Sequence, residues 1–159
     1  MKRIVALLLA AVMVVGLAAC GSPKAKEFSI EEMKLTLTAD FKEGEYSGYT
    51  KVFESNDAAA FVLREDKSLL GGETISIDEY VELCRQANAA RNPGEAKKEG
   101  NVPYFEYTFK NPETGVTYSY FTAMYESEKA FWLVQFACGE GDYAKKKADF
   151  AGYASSVKF

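Results

Sequence analysis

Residues 104–138 read YFEYTFKNPETGVTYSYFTAMYESEKAFWLVQFAC. Three runs in this stretch, Tyr104–Lys110, Val116–Glu126 and Ala130–Cys138, are rich in aromatic and β-branched residues and read as strands. Asn111-Pro112-Glu113-Thr114-Gly115 joins the first two. Pro112 suits the first central position of a turn, and Gly115 can take a positive φ. Glu126-Ser127-Glu128-Lys129 joins the second pair. A strand alternates its side chains between two faces. The first run therefore places Phe105, Tyr107 and Phe109 on one face. The second sets Tyr118, Tyr120 and Met124 against Phe121 and Tyr125. The third sets Trp132, Val134, Phe136 and Cys138 against Phe131, Leu133 and Ala137. Strands that are apolar on both faces are covered on both faces.

Two helices are on hand to do the covering. Ser76–Arg91 opens with a capping box, in which Ser76 takes the amide of Glu79 and the Glu79 carboxylate returns to the Ser76 amide. Ile75 and Tyr80 occupy the positions of a hydrophobic staple. Ile77, Val81, Cys84 and Ala87 or Asn88 follow at helical spacing, and Asn92-Pro93-Gly94 ends the segment. Asp142–Ser156 reads as a closing helix, with Tyr143, Phe150, Tyr153 or Ala154, and Val157 on one side. Its Lys145, Lys146 and Lys147 read as a solvated face. Toward the N-terminus, Phe28–Ile30 and Met33–Thr38 are strands, with Met33, Leu35 and Leu37 on the buried side. Phe41 precedes a turn at Gly44, and Tyr49–Glu54 and Ala59–Glu65 form a hairpin about Ser55-Asn56-Asp57. The class is α+β, with a central antiparallel sheet flanked by helices on both faces. Gly71-Gly72 lacks any phosphate-loop spacing and reads as a turn.

The chain has 159 residues and a formal charge of −4. Met1–Cys20 reads MKRIVALLLAAVMVVGLAAC. Lys2 and Arg3 form a positive start, and the 12 residues Ile4–Val15 are all apolar. This is the layout of a secretory signal peptide over residues 1–19. The alternative is a membrane helix, but the run is short for one and Gly21-Ser22-Pro23 stops it. Leu17-Ala18-Ala19-Cys20 resembles the bacterial lipobox. The resemblance implies cleavage before Cys20, lipidation of its thiol and a diacyl anchor in the membrane. It places the protein in the cell envelope, on the outer side of the cytoplasmic membrane, or on the outer membrane if the cell has two. Residues 20–26 then form a lipid-anchored tether, and residues 27–159 a single domain.

The opening FSIEEMKLTLTADF at Phe28–Phe41, the helix start SIDEY at Ser76, the aromatic meander and the closing SSVKF resemble the PsbP-like fold family. This family includes bacterial lipoproteins of the DcrB type. The resemblance implies an α/β/α sandwich over about Glu27–Phe159. Thr38-Ala39-Asp40 departs from the family, whose members often carry a proline-containing turn there. The family's members do unrelated work, so the fold implies no shared catalytic residue.

The residue inventory limits the chemistry. The sequence contains no histidine, which removes Ser-His-Asp and Cys-His catalysis and all His-containing zinc sites. Without the leader, 140 residues carry 17 basic and 23 acidic side chains. A net-negative domain without a basic run is a poor nucleic-acid binder. The acidic groups, Glu140 and Asp142 among them, lack the spacing of a calcium loop, and no metal or other cofactor is expected. Cys84 and Cys138 can either pair as an extracytoplasmic disulfide or remain buried thiols. All 22 aromatic residues lie after the leader. Most are expected in the core, while Tyr104, Tyr107, Tyr118 and Tyr120 are the candidates for ligand contact. The expected function is non-enzymatic: binding a protein partner in the envelope. The alternative is a small ligand or glycan held in a tyrosine-rich pocket.

Overall fold

The computed structural model describes residues 24–70 and 75–159. The signal peptide, Cys20 and the turn at Gly71-Gly72 lie outside the described residues. Nine strands and two helices follow one another along the described residues: β1 (Ala25–Ile30), β2 (Met33–Thr38), β3 (Lys42–Gly44), β4 (Lys51–Glu54), β5 (Ala58–Asp66), α1 (Ile77–Ala87), β6 (Lys97–Glu99), β7 (Val102–Lys110), β8 (Thr117–Glu126), β9 (Ala130–Gly139) and α2 (Glu140–Ser155). Strands β3 to β9 form one antiparallel sheet of seven strands in the order β3-β4-β5-β9-β8-β7-β6. β1 and β2 form a hairpin of their own. β1 starts at Ala25, so Ala25 and Lys26 pair with Thr38 and Leu37 and are not part of a free tether.

The long hydrophobic strands take the middle of the sheet. β9 lies between β5 and β8, and Ala130 to Cys138 are all buried. The short strands Lys42–Gly44 and Lys97–Glu99 take the two edges. Charged, short edge strands resist pairing with other chains.

Alternate residues of the central strands enter two separate clusters. Phe121, Ala123 and Tyr125 of β8 and Trp132, Val134, Phe136 and Cys138 of β9 pack with Phe150 and Ala154 of α2. The buried side of the β1–β2 hairpin, from Phe28 through Leu37, joins this cluster. Met124, Phe131 and Leu133 instead pack with Tyr80, Val81 and Cys84 of α1. α1 has the expected capping box, with Glu79 N donating to Ser76 Oγ and Ser76 N donating to the Glu79 carboxylate. Tyr80, read above as a staple residue, is fully buried against Phe131, with ring centroids 4.5 Å apart.

The α2 lysines are not simply a solvated face. Lys146 reaches Asp57 at 2.7 Å, and Lys147 reaches Glu106 at 2.8 Å. Glu106, on β7, also accepts from Tyr143 Oη and faces Lys97 at 3.3 Å. Burial pushes its carboxyl upward, but the hydrogen bonds from Lys147 and Tyr143 outweigh that and hold it below the usual value. A depressed folded-state value adds stability above the ordinary carboxylate range, and this is lost as pH falls through the lowered value. Glu106→Gln should therefore melt below the wild type at neutral pH, and the gap should close on acidification. Thermal melts of both proteins from pH 7 down through the carboxylate range check this. A gap independent of pH would mean that the Glu106 charge is idle.

Candidate ligand-binding cavity

The sheet has a hollow in its surface. Ala59 of β5 pairs with Ala137 of β9, which pairs in turn with Tyr120 of β8. Two alanines side by side leave space above the sheet, and larger rings surround it. Tyr107 and Phe109 of β7, Tyr118 and Tyr120 of β8, and Phe61 of β5 line an open cavity of about 840 Å³. The segment between β3 and β4 closes one side with Tyr46 and Tyr49. Arg91, in the 3₁₀ turn Ala89–Arg91 that follows α1, closes another. Pockets of roughly 300–1,000 Å³ suit small ligands and peptide side chains.

Hydrogen bonds and ring contacts fix the lining. Tyr107 and Tyr120 are cross-strand partners and stack, with centroids 4.6 Å apart and planes 8° from parallel. Gln135 is buried beneath them; its Nε2 donates to Tyr107 Oη at 3.0 Å. Tyr49 Oη donates to Gln135 Oε1 at 3.2 Å, tying the loop to the sheet. Tyr49 and Tyr46 both pack on Phe61, at 5.1 and 6.0 Å. Tyr46 remains 64% exposed, so its ring is open to a visitor.

The cavity is electrically uneven. The Arg91 guanidinium lies over Phe109 at 5.1 Å and over Tyr107 at 5.6 Å. Its Nη1 donates to Asn88 Oδ1, and Asn88 is itself held by Cys84 O through Nδ2 at 2.8 Å. Glu54, Asp57 and Asp142 line the cavity as well. The hydrogen bond from Lys146 holds the Asp57 carboxyl below its usual value. Lys145 lies 3.6 Å from Asp142. Burial pushes Tyr107 up to about 12 and raises Tyr49 and Tyr120, although Arg91 opposes the shift. These phenols are thus protonated at neutral pH, able to donate and accept hydrogen bonds and poorly suited to act as bases. Among the described residues, no three acidic or thiol side chains gather closely enough to hold a metal ion.

Three of the four candidate tyrosines, Tyr107, Tyr118 and Tyr120, line the cavity together. Tyr104 does not. It sits three residues before Tyr107 on the same strand and so projects from the other face. There it stacks on Phe121 at 4.3 Å, within the cluster that contains α2. Of the two alternatives for Cys84 and Cys138, the structure has the buried thiols and not the disulfide. Both thiols are free and buried, Cys84 in the α1 cluster and Cys138 in the α2 cluster. The pairing required α1 to dock on the Trp132 side of β9, and it packs with Phe131 and Leu133 instead. Burial pushes the Cys84 thiol up to about 12, so it is inert.

Tyr46, Tyr49, Phe61 and Arg91 are cavity residues that the sequence reading did not single out. The signal available was two tyrosines, Tyr46 and Tyr49, in a segment punctuated by Gly44 and Gly48, where rings have no core to fill. Nothing in the sequence marks Arg91, because its role depends on how the end of α1 meets β7.

A scan against protein-family models and a search of curated proteins both find no match. Solved structures do resemble this one. The solution structure of cyanobacterial PsbP (CyanoP) from Synechocystis sp. PCC 6803 matches with a TM-score of 0.54 at 14% identity, over 89% of this chain and 98% of that one. The Ran-binding protein Mog1p of Saccharomyces cerevisiae matches at 0.54 and 10% identity, over 86% and 96%. A protein of Bacteroides thetaiotaomicron VPI-5482 matches at 0.59 and 12% identity, over 87% of this chain but 48% of that one. At such identities the likeness is one of fold: an antiparallel sheet with two helices in the PsbP-like arrangement.

Proposed function

We propose that this is a lipid-anchored, extracytoplasmic domain without catalytic activity that binds a protein partner in the cell envelope. The observation that carries the reading is the open aromatic cavity, whose tyrosines present large rigid faces with polar tips. The Ran-binding protein Mog1p gives a precedent for partner binding on this fold. The α/β/α sandwich is part of the same proposal: α1 and α2 join clusters that draw on alternate residues of β9, as cover on opposite faces requires. Cys20 supplies the anchor, since two acyl chains hold a protein at a bilayer where one gives only marginal binding. The bilayer is then the outer face of the cytoplasmic membrane, or the outer membrane in a cell that has two.

Both halves can be tested in cells. Cys20→Ala should release the protein from the membrane fraction or leave the precursor uncut. Normal cleavage and retention would rule out the anchor. Crosslinking in intact cells followed by purification should recover one reproducible protein with the wild type. Recovery should fall about tenfold or more with Tyr118→Ala combined with Tyr120→Ala, as expected for removing ring contacts worth about 0.5–1.5 kcal/mol each beyond their buried area. Equal recovery with the double variant would contradict the site.

A second reading, a small ligand or glycan in the same cavity, is favoured by the exposed ring of Tyr46 in the lining and by the volume. Saturation-transfer NMR against a glycan panel separates it from the first.

A further inference from the structure

We infer that Arg91 is the anchor for a carboxylate on the bound protein segment, with an adjacent apolar side chain of that segment lying on the rings of Phe61, Tyr118 and Tyr120. This rests on the reading of the cavity as the partner-binding site and adds the chemistry of what enters it.

Of the described arginines, Arg64 and Arg85 are spent in ion pairs. Arg64 is surrounded by Glu31, Glu32 and Asp66, at 3.0, 3.4 and 2.7 Å. Arg85 pairs with Glu82 at 2.6 Å. Among the described residues Arg91 makes no ion pair, and its one side-chain hydrogen-bond partner there is the neutral amide oxygen of Asn88. Two of the cavity's acids already have cations of their own, Asp57 from Lys146 and Asp142 from Lys145, and neither draws on Arg91. Arg91 is therefore the unneutralised cation of the lining.

Its placement is not that of a loose surface side chain. Hydrogen bonds running from Cys84 O through Asn88 to Arg91 fix one end of the guanidinium. The faces of Phe109 and Tyr107 lie against it. With one Nη1 bond made to Asn88, the remaining N–H groups of the guanidinium are unspent, and a guanidinium fork can receive a carboxylate through two parallel hydrogen bonds. Its field reaches Tyr49, Tyr107 and Tyr120, opposing the rise that burial causes in each. Glu54 of β4 also lines the cavity, makes no ion pair among the described residues, and repels a second anion, which orients the entering segment. The carboxylate can come from the free C-terminus of the partner or from an internal Asp or Glu. The chemistry at Arg91 is the same in both.

The test uses the full-length protein in detergent, with its tyrosine rings labelled for NMR, and two pairs of acetylated peptides. One pair ends in Ala-Phe as the free acid or the amide. The other holds Glu-Phe or Gln-Phe internally, with an amidated end. A charge-assisted bond at this partly open site should make an acid bind about tenfold more tightly than its neutral twin, which is about 1.4 kcal/mol. Arg91→Gln should erase that gap, and Arg91→Lys should keep part of it. A gap confined to the first pair assigns a C-terminus, and one confined to the second assigns a side chain. Acid and neutral peptides binding alike, or a gap that survives in Arg91→Gln, would overturn the carboxylate assignment while leaving the cavity a peptide site. No change at any cavity tyrosine with any peptide at millimolar concentration would overturn both.

Discussion

Alanine at position 132 is expected to lower the unfolding free energy by about 3–5 kcal/mol, the range for truncating a large buried ring. Trp132 is fully buried in the central strand β9. Its ring lies 5.9 Å from Phe159 and 5.7 Å from the Arg64 guanidinium, and its Nε1 donates to Ser127 Oγ at 3.2 Å. The ring therefore bridges three parts of the protein: the β8–β9 turn, β5 and the C-terminal residue. Removing it leaves a cavity and strips the packing from beneath Arg64, whose contacts with Glu31 and Glu32 tie the β1–β2 turn to the sheet. Against a total of about 5–15 kcal/mol for a domain, this is a large share. Urea unfolding followed by far-ultraviolet circular dichroism checks it, with Trp132→Phe expected to lose much less. A loss below about 1 kcal/mol for Trp132→Ala, the size of an ordinary surface change, would mean that this ring is not core.

The second large effect is expected at Tyr80. Tyr80→Ala removes the ring stacked on Phe131 and the hydroxyl that donates to Glu65 Oε2 at 2.6 Å. The expected cost is again about 3–5 kcal/mol, but it should fall unevenly. Of α1, the buried residues are Tyr80, Val81 and Cys84, so the helix rests on few side chains. Losing the largest should loosen α1 before the sheet gives way. Hydrogen exchange should show faster exchange across α1 and little change in β8 and β9. The consequence extends to the cavity, because the end of α1 carries Asn88 and Arg91. Tyr80→Ala should thus weaken partner capture even though Tyr80 does not line the cavity. Tyr80→Phe keeps the ring and should retain capture. Uniform loss of protection throughout the protein would instead make α1 inseparable from the sheet.

The two variants mark where the sequence was informative. β7, β8 and β9 were legible because their ring-rich runs alternate with period two and end at clear turns. α1 was legible because Ser76 and Glu79 form a capping box. β3 and β6 were not, since Lys42–Gly44 and Lys97–Glu99 are short, charged and without alternation. Tyr104 and Tyr107 show the limit for the site. Both are aromatic residues of one strand, but three positions apart they project from opposite faces, and only the face of Tyr107 is left partly open. Cys84 and Cys138 are apart for another reason: which face of the sheet a helix covers is a tertiary choice that neither cysteine encodes. The cavity itself arises from Ala59 beside Ala137, a cross-strand register that no local pattern specifies.

Photo-crosslinking from within the cavity tests the binding claim most directly. A benzophenone group at position 118, on the cavity wall, is compared with the same group at position 83, where Leu83 is exposed on α1 and outside the lining. The account predicts one discrete adduct from position 118 in intact cells, and little or none from position 83. Adducts of equal yield from both positions, or none from position 118 in a folded, membrane-held protein, would contradict it.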